Sequence, residues 1–500
     1  MKDVIKKYIK LEAEKHSERY HTYHNALHIE HERNKKRFGK DYRKKEVKQP
    51  DVWLQDKKYN PFYVLKNLDK IAGVIADKIK KGTYAPHEPY TQEIPKKNGK
   101  TRTITIYQIP DAAVSNYLYQ RLLKKNQHRL SSLSYAYRSD RNVHFAIQDI
   151  SLDFQSHSRL FISEFDFSDF FGSINHTYLY NQLDKNGFMV SDFEKQLIKA
   201  FLGSVNRGIP QGTSISLFLA NIVCWRLDRR LESEGLRFAR YADDTVIWSS
   251  NYTKICHSFD IISEFSKEAG IEINANKSDG INLIVKPGLP SEFDTATKQY
   301  IEFLGYKLSL DNISIKEESV KRMKKQITYL LYKNLIKPVK GYQLKSIIVP
   351  NNNEDPAFVT AMMQIRRYLY GNLSEATLKS FLNGKYKRIR FKGIMSFYPL
   401  IDDVNQLKEL DGWLVSTIFK TLKLREKLFL RRNIMRVSYN FPYNIKREEL
   451  INKCKTMKYQ GTKGLYEIPS FFRIYRGIKS GILNNGIEYT MNDKPYEYDY

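Results

Sequence analysis

The chain has 500 residues, of which 41% are hydrophobic, so it is long enough for roughly three domains with real cores. Its 83 Lys and Arg residues against 55 Asp and Glu give a net charge of +28, which favours a polyanionic partner such as nucleic acid over a merely soluble basic surface. The composition excludes collagen-like, purely coiled-coil and wholly disordered chains.

The cysteines and the apolar segments exclude further classes of protein. Cys224, Cys256 and Cys454 are scattered, which excludes a zinc ribbon and a disulfide framework and is typical of a reducing, cytoplasmic location. The N-terminus has no apolar stretch of the kind found in secretory signals. The most apolar run, SLFLANIVCW, is too short for a membrane span, so no membrane partner is expected.

Residues 1–60 are rich in Lys, Arg, Glu and His and are predicted to form a mostly solvated helical extension. His21, His24, His28 and His31 recur at helical spacing, so they share one face of that helix. We expect the face to contact RNA or a neighbouring subunit. A metal site is the alternative, although no carboxylate–histidine signature accompanies the histidines.

Residues 61–310 have a mixed pattern of helix and strand. The segment QEIPKKNGKTRTITI predicts two strands joined by an Asn-Gly turn, and a helix follows from Asp111 to Lys125. RLFISEF predicts a strand, and SISLFLANIVCWRLDRRLESEG predicts an amphipathic helix that stops at Gly235. FARYADDTVIW predicts two short strands around a tight acidic turn.

From residue 311 onward the strand signals fade, and the region is predicted to be mainly α-helical. The segment EESVKRMKKQITYLLYKNLIKP predicts a basic helix that ends at Pro338. Two basic–aromatic segments, GKYKRIRFKG and LREKLFLRRNIMR, contain Tyr386, Phe391 and Phe429 as candidates for stacking on RNA bases. The alternative is amphipathic packing helices whose basic side chains face water.

Three aspartates are candidates for metal chemistry. Asp166 ends an aromatic-rich strand, and Asp243 and Asp244 form the turn of YADD. Template-directed nucleotide addition needs two divalent cations between carboxylates, and hard oxygen ligands suit Mg²⁺. An isolated YADD would favour an ordinary turn, but two such acidic sites in order, with Pro-Gln-Gly between them, favour metal binding.

The Pro-Gln-Gly segment lies between the two acidic sites. Pro210 and Gly212 allow the backbone to run close to a substrate, and Gln211 supplies an amide at that point. The alternative is an ordinary helix-entry loop that is capped by Ser or Thr.

These segments, taken in order, resemble the motifs of reverse transcriptases. FDFSDFFGSINH, GIPQGTSISLFLANI, YADD, GIEINANKSD and IEFLGYKLS are similar to the five successive palm motifs. KKNGKTRTITI and SYAYRSDRNVHFAI are similar to the finger motifs of the bacterial, group II intron-like branch. The resemblance implies an α+β, right-hand-like polymerase with fingers and palm, followed by a mainly α-helical thumb and C-terminal region.

The resemblance also implies a catalytic set. Asp166, Asp243 and, less directly, Asp244 would hold two Mg²⁺ ions, with Mn²⁺ as an alternative. Lys277 would protonate the leaving pyrophosphate.

The same resemblance implies a set of residues around the incoming nucleotide. Phe171 would clash with a ribose 2′-hydroxyl and so select deoxynucleotides; its alternative is core packing. Arg102, with Lys100 or Lys97, would pair with triphosphate oxygens, and the alternative for each is a solvated charge. Asp169 would place its backbone near the triphosphate, and Gln211 would contact the nucleotide.

We therefore expect four regions. Residues 1–60 are the basic, His-rich extension, and residues 61–310 are the fingers and palm. Residues 311–370 are a helical thumb-like region, and residues 371–500 are a basic, mainly helical region with an acidic, Tyr-rich tail.

The flanking regions are similar to those of bacterial abortive-infection and defence-associated reverse transcriptases. This similarity implies an RNA-directed DNA polymerase that uses dNTPs to copy a structured non-coding RNA into DNA during anti-phage defence, as a homo-oligomer. Some members of that group start DNA on a protein hydroxyl, so Tyr496, Tyr498 and Tyr500 are candidates for priming, with a docking tail as the alternative. A retron or group II intron-like enzyme and a maturase-like RNA-binding protein are the alternative functions.

Overall fold

The structure, a computed structural model, describes residues 1–38, 42–95, 99, 101–290, 297–340 and 349–491. The chain divides into two compact units. Residues 1–31 and 44–299 form the first unit, and residues 32–43 and 300–500 form the second. Strands and helices alternate in the first unit, whereas the second is mainly helical, as predicted for an α+β polymerase with a helical C-terminal region.

The elements up to residue 298 include the predicted strands and helices. The helices are α1 (Lys2–Phe38), α2 (Val52–Gln55), α3 (Pro61–Lys66), α4 (Leu68–Lys80), α5 (Ile109–Asn126), α6 (Val143–Gln155), α7 (Phe170–Ser173), α8 (His176–Lys185), α9 (Asp192–Leu202), α10 (Ser214–Ser233) and α11 (Tyr252–Ala269), with 3₁₀ turns at Lys57–Tyr59 and Gln127–Arg129. The strands are β1 (Tyr90–Pro95), β2 (Thr101–Ile106), β3 (Arg159–Phe165), β4 (Arg237–Tyr241), β5 (Asp244–Ser249), β6 (Asp279–Val285) and β7 (Thr297–Lys298).

A five-stranded sheet forms the centre of the first unit, in the order β4-β5-β3-β6-β7. The pairs are antiparallel except for the parallel pair of β6 and β7. Helix α11 packs on β3 and β5, and α10 packs against α5, α8 and α11. The apolar side chains of these helices and of β3 share one hydrophobic core, which fixes the strand ends that carry the aspartates.

The predicted hairpin of the fingers is confirmed. β1 and β2 pair antiparallel from Tyr90 with Ile106 to Pro95 with Thr101. Gly99 has a φ of +77°, the left-handed conformation that a tight turn needs. The rest of the predicted Asn-Gly turn, with Lys97 and Lys100, lies outside the described residues.

The N-terminal helix is only partly solvated. α1 is largely exposed, but Ile5, Ile9 and Ala13 are fully buried in the core of the first unit, so the prediction of a solvated helix is wrong for its first turns. These three residues recur at i, i+4 and i+8, a spacing that places them on one face. Within the described ranges, no group of three or more His, Cys, Asp or Glu side chains is arranged to hold a metal ion, the histidines of α1 included.

The second unit has the predicted helical character. Its helices are α12 (Glu317–Leu331), α13 (Lys337–Lys340), α14 (Pro356–Tyr370), α15 (Glu375–Leu382), α16 (Val404–Leu430), α17 (Leu450–Thr456), α18 (Phe471–Asn485) and α19 (Ile487–Thr490), with a π-helical turn at Tyr332–Ile336 and 3₁₀ turns at Ile394–Phe397 and Met435–Tyr439. Its strands are β8 (Ile301–Phe303), β9 (Tyr306–Leu308), β10 (Ile313–Ile315), β11 (Lys458–Tyr459) and β12 (Thr462–Lys463).

Two predictions for the second unit are corrected. The helix that was expected to end at Pro338 runs on to Lys340, because a π-helical turn precedes the proline and changes the local hydrogen-bond pattern. Phe391 and Phe429 are fully buried, so they pack in the core and do not stack on RNA bases, whereas Tyr386 is exposed. No helix in the part of the chain that the structure describes is long and apolar enough to cross a membrane.

Candidate active site

The three predicted aspartates meet at one end of the central sheet. Phe165 of β3 pairs with Thr245 of β5, so the antiparallel register places Asp166 opposite Asp244. Tyr241 and Asp244 close the β4–β5 hairpin, which leaves Ala242 and Asp243 at its tip. The sequence pattern and the strand register therefore bring all three carboxylates together.

A short loop holds the first aspartate in place. Lys277 Nζ and Asn274 Nδ2 each donate to Asp166 Oδ2, both at 2.9 Å. The Asn274 backbone N–H donates to the Asp166 carbonyl at 2.9 Å, and the Asp166 N–H donates to Ser278 Oγ at 3.1 Å. Sequence reasoning identified Lys277 but missed Asn274 and Ser278. Lys277 and Ser278 follow Asn274 by three and four residues, a spacing that is typical of a tight turn.

Like charges dominate the electrostatics of the carboxylates. Partial desolvation of the carboxylate, followed by repulsion from Asp243 and Asp166, raises the pKa of Asp244 to about 7. The residue nevertheless remains exposed to solvent. Burial, followed by repulsion from Asp166, raises the pKa of Asp243, and the nearby Arg102 and Lys277 partly oppose that shift. A site of this kind would be stabilised by cations.

A buried ion pair between β4 and α10 stabilises the hairpin that carries Asp243. Arg240 of β4 makes a bidentate contact with Asp228 of α10, at 2.7 Å and 2.6 Å, and both side chains are almost fully buried. Arg240 Nη1 also donates to the carbonyl of Ala242 at 3.0 Å. Ala242 has a φ of +61°, so this hydrogen bond holds a residue in a conformation that L-amino acids rarely adopt. Sequence reasoning missed the role of this pair.

The Pro-Gln-Gly segment is joined to the fingers hairpin. The N–H of Thr105 in β2 donates to the Gln211 carbonyl at 2.7 Å. Gly212 has a φ of +109°, and a Cβ there would lie 2.9 Å from the Thr105 carbonyl. The contact with β2 explains the glycine directly, whereas the sequence suggested approach to a substrate. The cap of α10 comes from Ser115 Oγ, which accepts from the Ile215 N–H at 3.0 Å.

The other predicted nucleotide contacts lie around this centre. Arg102 is exposed on β2, close enough to Asp243 to affect its pKa. Phe171 is half-buried; its ring contacts Phe170 edge-on at 5.4 Å, and its carbonyl accepts from the Ile209 N–H at 2.7 Å, next to the Pro-Gln-Gly segment.

Asp169 occupies a tight turn just before α7. It is exposed and has a φ of +44°. Gly172 makes room for its carboxylate, since a Cβ on Gly172 would overlap Asp169 Oδ2. Lys100, the alternative partner of the triphosphate, lies outside the described residues.

The donor set suits a hard divalent cation. Asp166, Asp243 and Asp244 offer only carboxylate oxygens, which are the ligands of Mg²⁺ and Mn²⁺. In the described part of the chain these residues do not form a ready-made cage of three ligands. Mg²⁺ is usually held by one or two carboxylates together with water and substrate phosphates, so an incomplete protein cage fits this ion.

The fold is that of a right-hand polymerase, and its acidic site lies at the end of the central sheet. Residues 94–308 match the family described as reverse transcriptase (RNA-dependent DNA polymerase). This part of the chain is therefore similar to the domain that carries the polymerase activity of reverse transcriptases.

Two curated proteins from Escherichia coli are similar to part of the chain. Protein YkfC of strain K12 is 27% identical over 178 residues, which are 33% of this chain and 46% of that protein. The retron Ec86 reverse transcriptase is 29% identical over 125 residues, which are 24% of this chain and 37% of that protein. The chain thus spans less than half the length of either relative.

Solved telomerases are also similar to the chain at low identity. Telomerase from Candida albicans, in complex with a fragment of telomeric RNA, matches with 14% identity and a TM-score of 0.36, over 77% of this chain and 70% of that one. Apo telomerase from Candida tropicalis matches with 13% identity and a TM-score of 0.36, over 77% and 72%.

Proposed function

We propose that the chain is an RNA-directed DNA polymerase that adds dNTPs to a 3′-end by two-metal phosphoryl transfer. The observation that carries this proposal is the meeting of Asp166, Asp243 and Asp244 at paired strand ends, inside the segment that matches the reverse transcriptase family. Bound Mg²⁺ supplies the charge that activates the primer hydroxyl and neutralises the triphosphate.

The remaining residues of the site act on the nucleotide itself. Arg102 binds triphosphate oxygens through its planar guanidinium. The ring of Phe171 lies beside the sugar and excludes a 2′-hydroxyl. Lys277 holds Asp166 in the free protein and donates a proton to the leaving pyrophosphate during reaction. Gln211 and the backbone of Asp169 position the triphosphate.

A primer-extension assay tests the polymerase activity. The full chain would be given Mg²⁺, dTTP and oligo(dT) annealed to poly(rA), and Asp243→Asn would be compared with Asp260→Asn, an exposed aspartate on α11 outside the site. Asp243→Asn should lower the rate by at least about a thousandfold, because metal-ion stabilisation contributes several kcal/mol. Asp260→Asn should leave the rate unchanged. Equal rates for wild type and Asp243→Asn would overturn the proposal.

We further propose that the template is a structured non-coding RNA and that the product serves anti-phage defence. The net charge of +28 and the resemblance of the flanking regions support this proposal. RNA that co-purifies with the chain should be copied without an added template, and cells that carry the wild type should resist phage. Resistance that persists with Asp243→Asn would favour the maturase-like, RNA-binding function instead.

A retron-like enzyme is the second candidate function. The observation that favours it is the similarity of 125 residues to the retron Ec86 reverse transcriptase. A neighbouring gene for an inverted-repeat RNA that the enzyme copies would support this candidate. Copying of an RNA without such a gene would favour the defence proposal.

A further inference from the structure

A cavity lies in the first unit, outside the acidic site. It occupies about 230 Å³ between the 3₁₀ turn before α3, helices α3 and α4, and the start of α5. Basic, aromatic, apolar and amide side chains line it, among them Lys58, Lys70, Lys78, Tyr63, Val74 and Gln108. The acidic site contributes no residue to this lining, so the cavity needs its own explanation.

The rim of the cavity is positively charged. Lys70 and Lys78 lie two turns apart on one face of α4, with Val74 between them. Neither lysine forms an ion pair among the residues that the structure describes. Val74 is 51% exposed, so an apolar wall and two unpaired ammonium groups face the same space.

The acid that lines the cavity is already satisfied. Asp111 is 2% exposed and accepts from Tyr84 Oη at 2.8 Å and from the His87 N–H at 3.1 Å. Lys58 Nζ lies 3.1 Å from His87 Nε2. Because an ammonium can only donate, His87 Nε2 accepts and the ring proton is on Nδ1. Nδ1 donates it to Asp111 Oδ2, which lies 3.2 Å away. The carboxylate of Asp111 is therefore satisfied by neighbouring residues of the cavity wall, and the lysines leave the opening positively charged.

The lining of the cavity includes a residue with a buried, unpaired acceptor. Gln108 is 5% exposed, and its Oε1 has no hydrogen-bond partner among the described residues. Leaving a buried acceptor unpaired is unfavourable, so the atom is suited to a ligand that donates a hydrogen bond. A fatty acyl chain has no such donor, whereas a nucleobase carries N–H groups on a flat, largely apolar ring.

We propose that this cavity binds one nucleotide. The base lies against Val74 and Tyr63 and donates an N–H to Gln108 Oε1, and the phosphate contacts Lys70 and Lys78. The nucleotide belongs either to a bound RNA strand or to the free nucleotide pool. The RNA source rests on the proposed function, since an RNA-copying enzyme holds such a strand.

The test uses the full chain and two kinds of probe. One is a short, fluorescein-labelled single-stranded RNA of mixed sequence, and the other is each of AMP, GMP, CMP and UMP in calorimetric titration. Gln108→Leu removes the acceptor at similar volume, and Val74→Trp fills the cavity from an exposed position. The pair Lys70→Gln and Lys78→Gln is matched by Lys66→Gln and Lys80→Gln, two exposed lysines of α3 and α4 outside the lining.

The cavity variants should bind at least one probe about tenfold more weakly than wild type, while the matched lysine control changes little. Loss of RNA binding identifies the strand as the source, and loss of mononucleotide binding alone identifies the free pool. Gln108→Leu should melt at the same temperature as wild type or higher, which separates lost binding from misfolding. Unchanged binding of both probes in Gln108→Leu and Val74→Trp would overturn the inference.

Primer extension separates this inference from the proposed function. If wild type makes DNA in an Asp243-dependent way while the cavity variants bind both probes normally, only the inference fails. If wild type makes no DNA but Gln108→Leu loses nucleotide binding, the proposed function fails and the cavity remains a nucleotide site.

Discussion

Lys277 contacts Asp166 from a position that is mostly open to solvent. The Nζ–Oδ2 distance is 2.9 Å, and 64% of the lysine side chain is exposed. Exposed ion pairs contribute little to the free energy of unfolding. The contact is therefore better suited to orienting the carboxylate and to supplying a proton than to holding the fold together.

Substitution of Lys277 distinguishes these two roles. Lys277→Arg can keep the ion pair but is a poor proton donor, because guanidinium does not deprotonate in proteins. We expect both Lys277→Arg and Lys277→Met to lower the single-turnover rate by about 10²–10⁴-fold, with little change in melting temperature. A wild-type rate for Lys277→Arg would show that charge alone is required.

The raised pKa of Asp244 predicts how the metal-free protein responds to pH. Its folded-state pKa of about 7 lies above the ordinary 3.8, so the folded state retains a proton that the unfolded state loses. The free energy of unfolding should therefore fall as the pH rises from about 4 to about 7. Asp244→Asn should remove the contribution of this carboxyl to the fall. We expect that contribution to be only about 1 kcal/mol of unfolding free energy, because Asp244 is exposed and solvent screens its interactions. Urea denaturation in EDTA between about pH 4 and about pH 7 measures this contribution. Identical pH profiles for wild type and Asp244→Asn would contradict the prediction.

Phe171 combines core packing with a position beside the site. Its edge-on contact with Phe170 accounts for the packing, and its hydrogen bond to Ile209 places it near the Pro-Gln-Gly segment. Phe171→Val should raise the ratio of kcat/KM for ATP to that for dATP by about tenfold or more, since a smaller side chain admits the 2′-hydroxyl. A purely structural role would lower both values together and leave the ratio unchanged.

At the scale of elements, β4 and α10 are coupled by one buried ion pair. Arg240 and Asp228 form a bidentate ion pair, and a further guanidinium N–H donates to the Ala242 carbonyl at the tip of the hairpin. The helix that follows the Pro-Gln-Gly segment thereby fixes the turn that carries Asp243. Stability and site geometry depend on the same guanidinium but through different atoms.

This arrangement predicts that stability and activity can be separated. Asp228→Asn should cost about 3–5 kcal/mol of unfolding free energy, because it leaves a buried guanidinium uncompensated. The double variant Arg240→Met with Asp228→Leu should recover most of that stability but not the polymerase rate, because Ala242 loses its hydrogen bond. Chemical denaturation and primer extension on the same samples test this. Recovery of both properties would show that the pair is structural only.

The sequence predicted elements well where local patterns decide them. The β4–β5 hairpin and α10 form as expected, since alternation and helical spacing are local signals. The partner of Arg240 was not predictable, because Asp228 meets it through tertiary packing. Pro338 predicts a helix end, and the π-helical turn that precedes it leaves no clear signal in one sequence. The basic neighbours of Phe391 and Phe429 favour stacking on RNA bases, but both rings are buried, as the alternative of packing helices requires.

At the scale of the whole molecule, the excess of basic residues is the main long-range feature. A net charge of +28 predicts RNA binding that is driven largely by counterion release. The affinity for a single-stranded RNA should fall by about tenfold or more between about 50 and about 200 mM salt, with a linear log–log slope. Fluorescence anisotropy measures the slope, and a salt-independent affinity would contradict a binding mode based on phosphate contacts.

Metal rescue of Asp243→Cys in RNA-templated primer extension is the most direct test of metal binding by Asp243. A thiolate binds Mg²⁺ poorly but accepts softer ions such as Mn²⁺ or Cd²⁺. If Asp243 is a metal ligand, Asp243→Cys loses activity in Mg²⁺ and regains part of it when a softer ion is added, whereas the control Asp260→Cys is active with Mg²⁺ alone. Wild-type activity of Asp243→Cys in Mg²⁺ would contradict the assignment of Asp243 as a metal ligand.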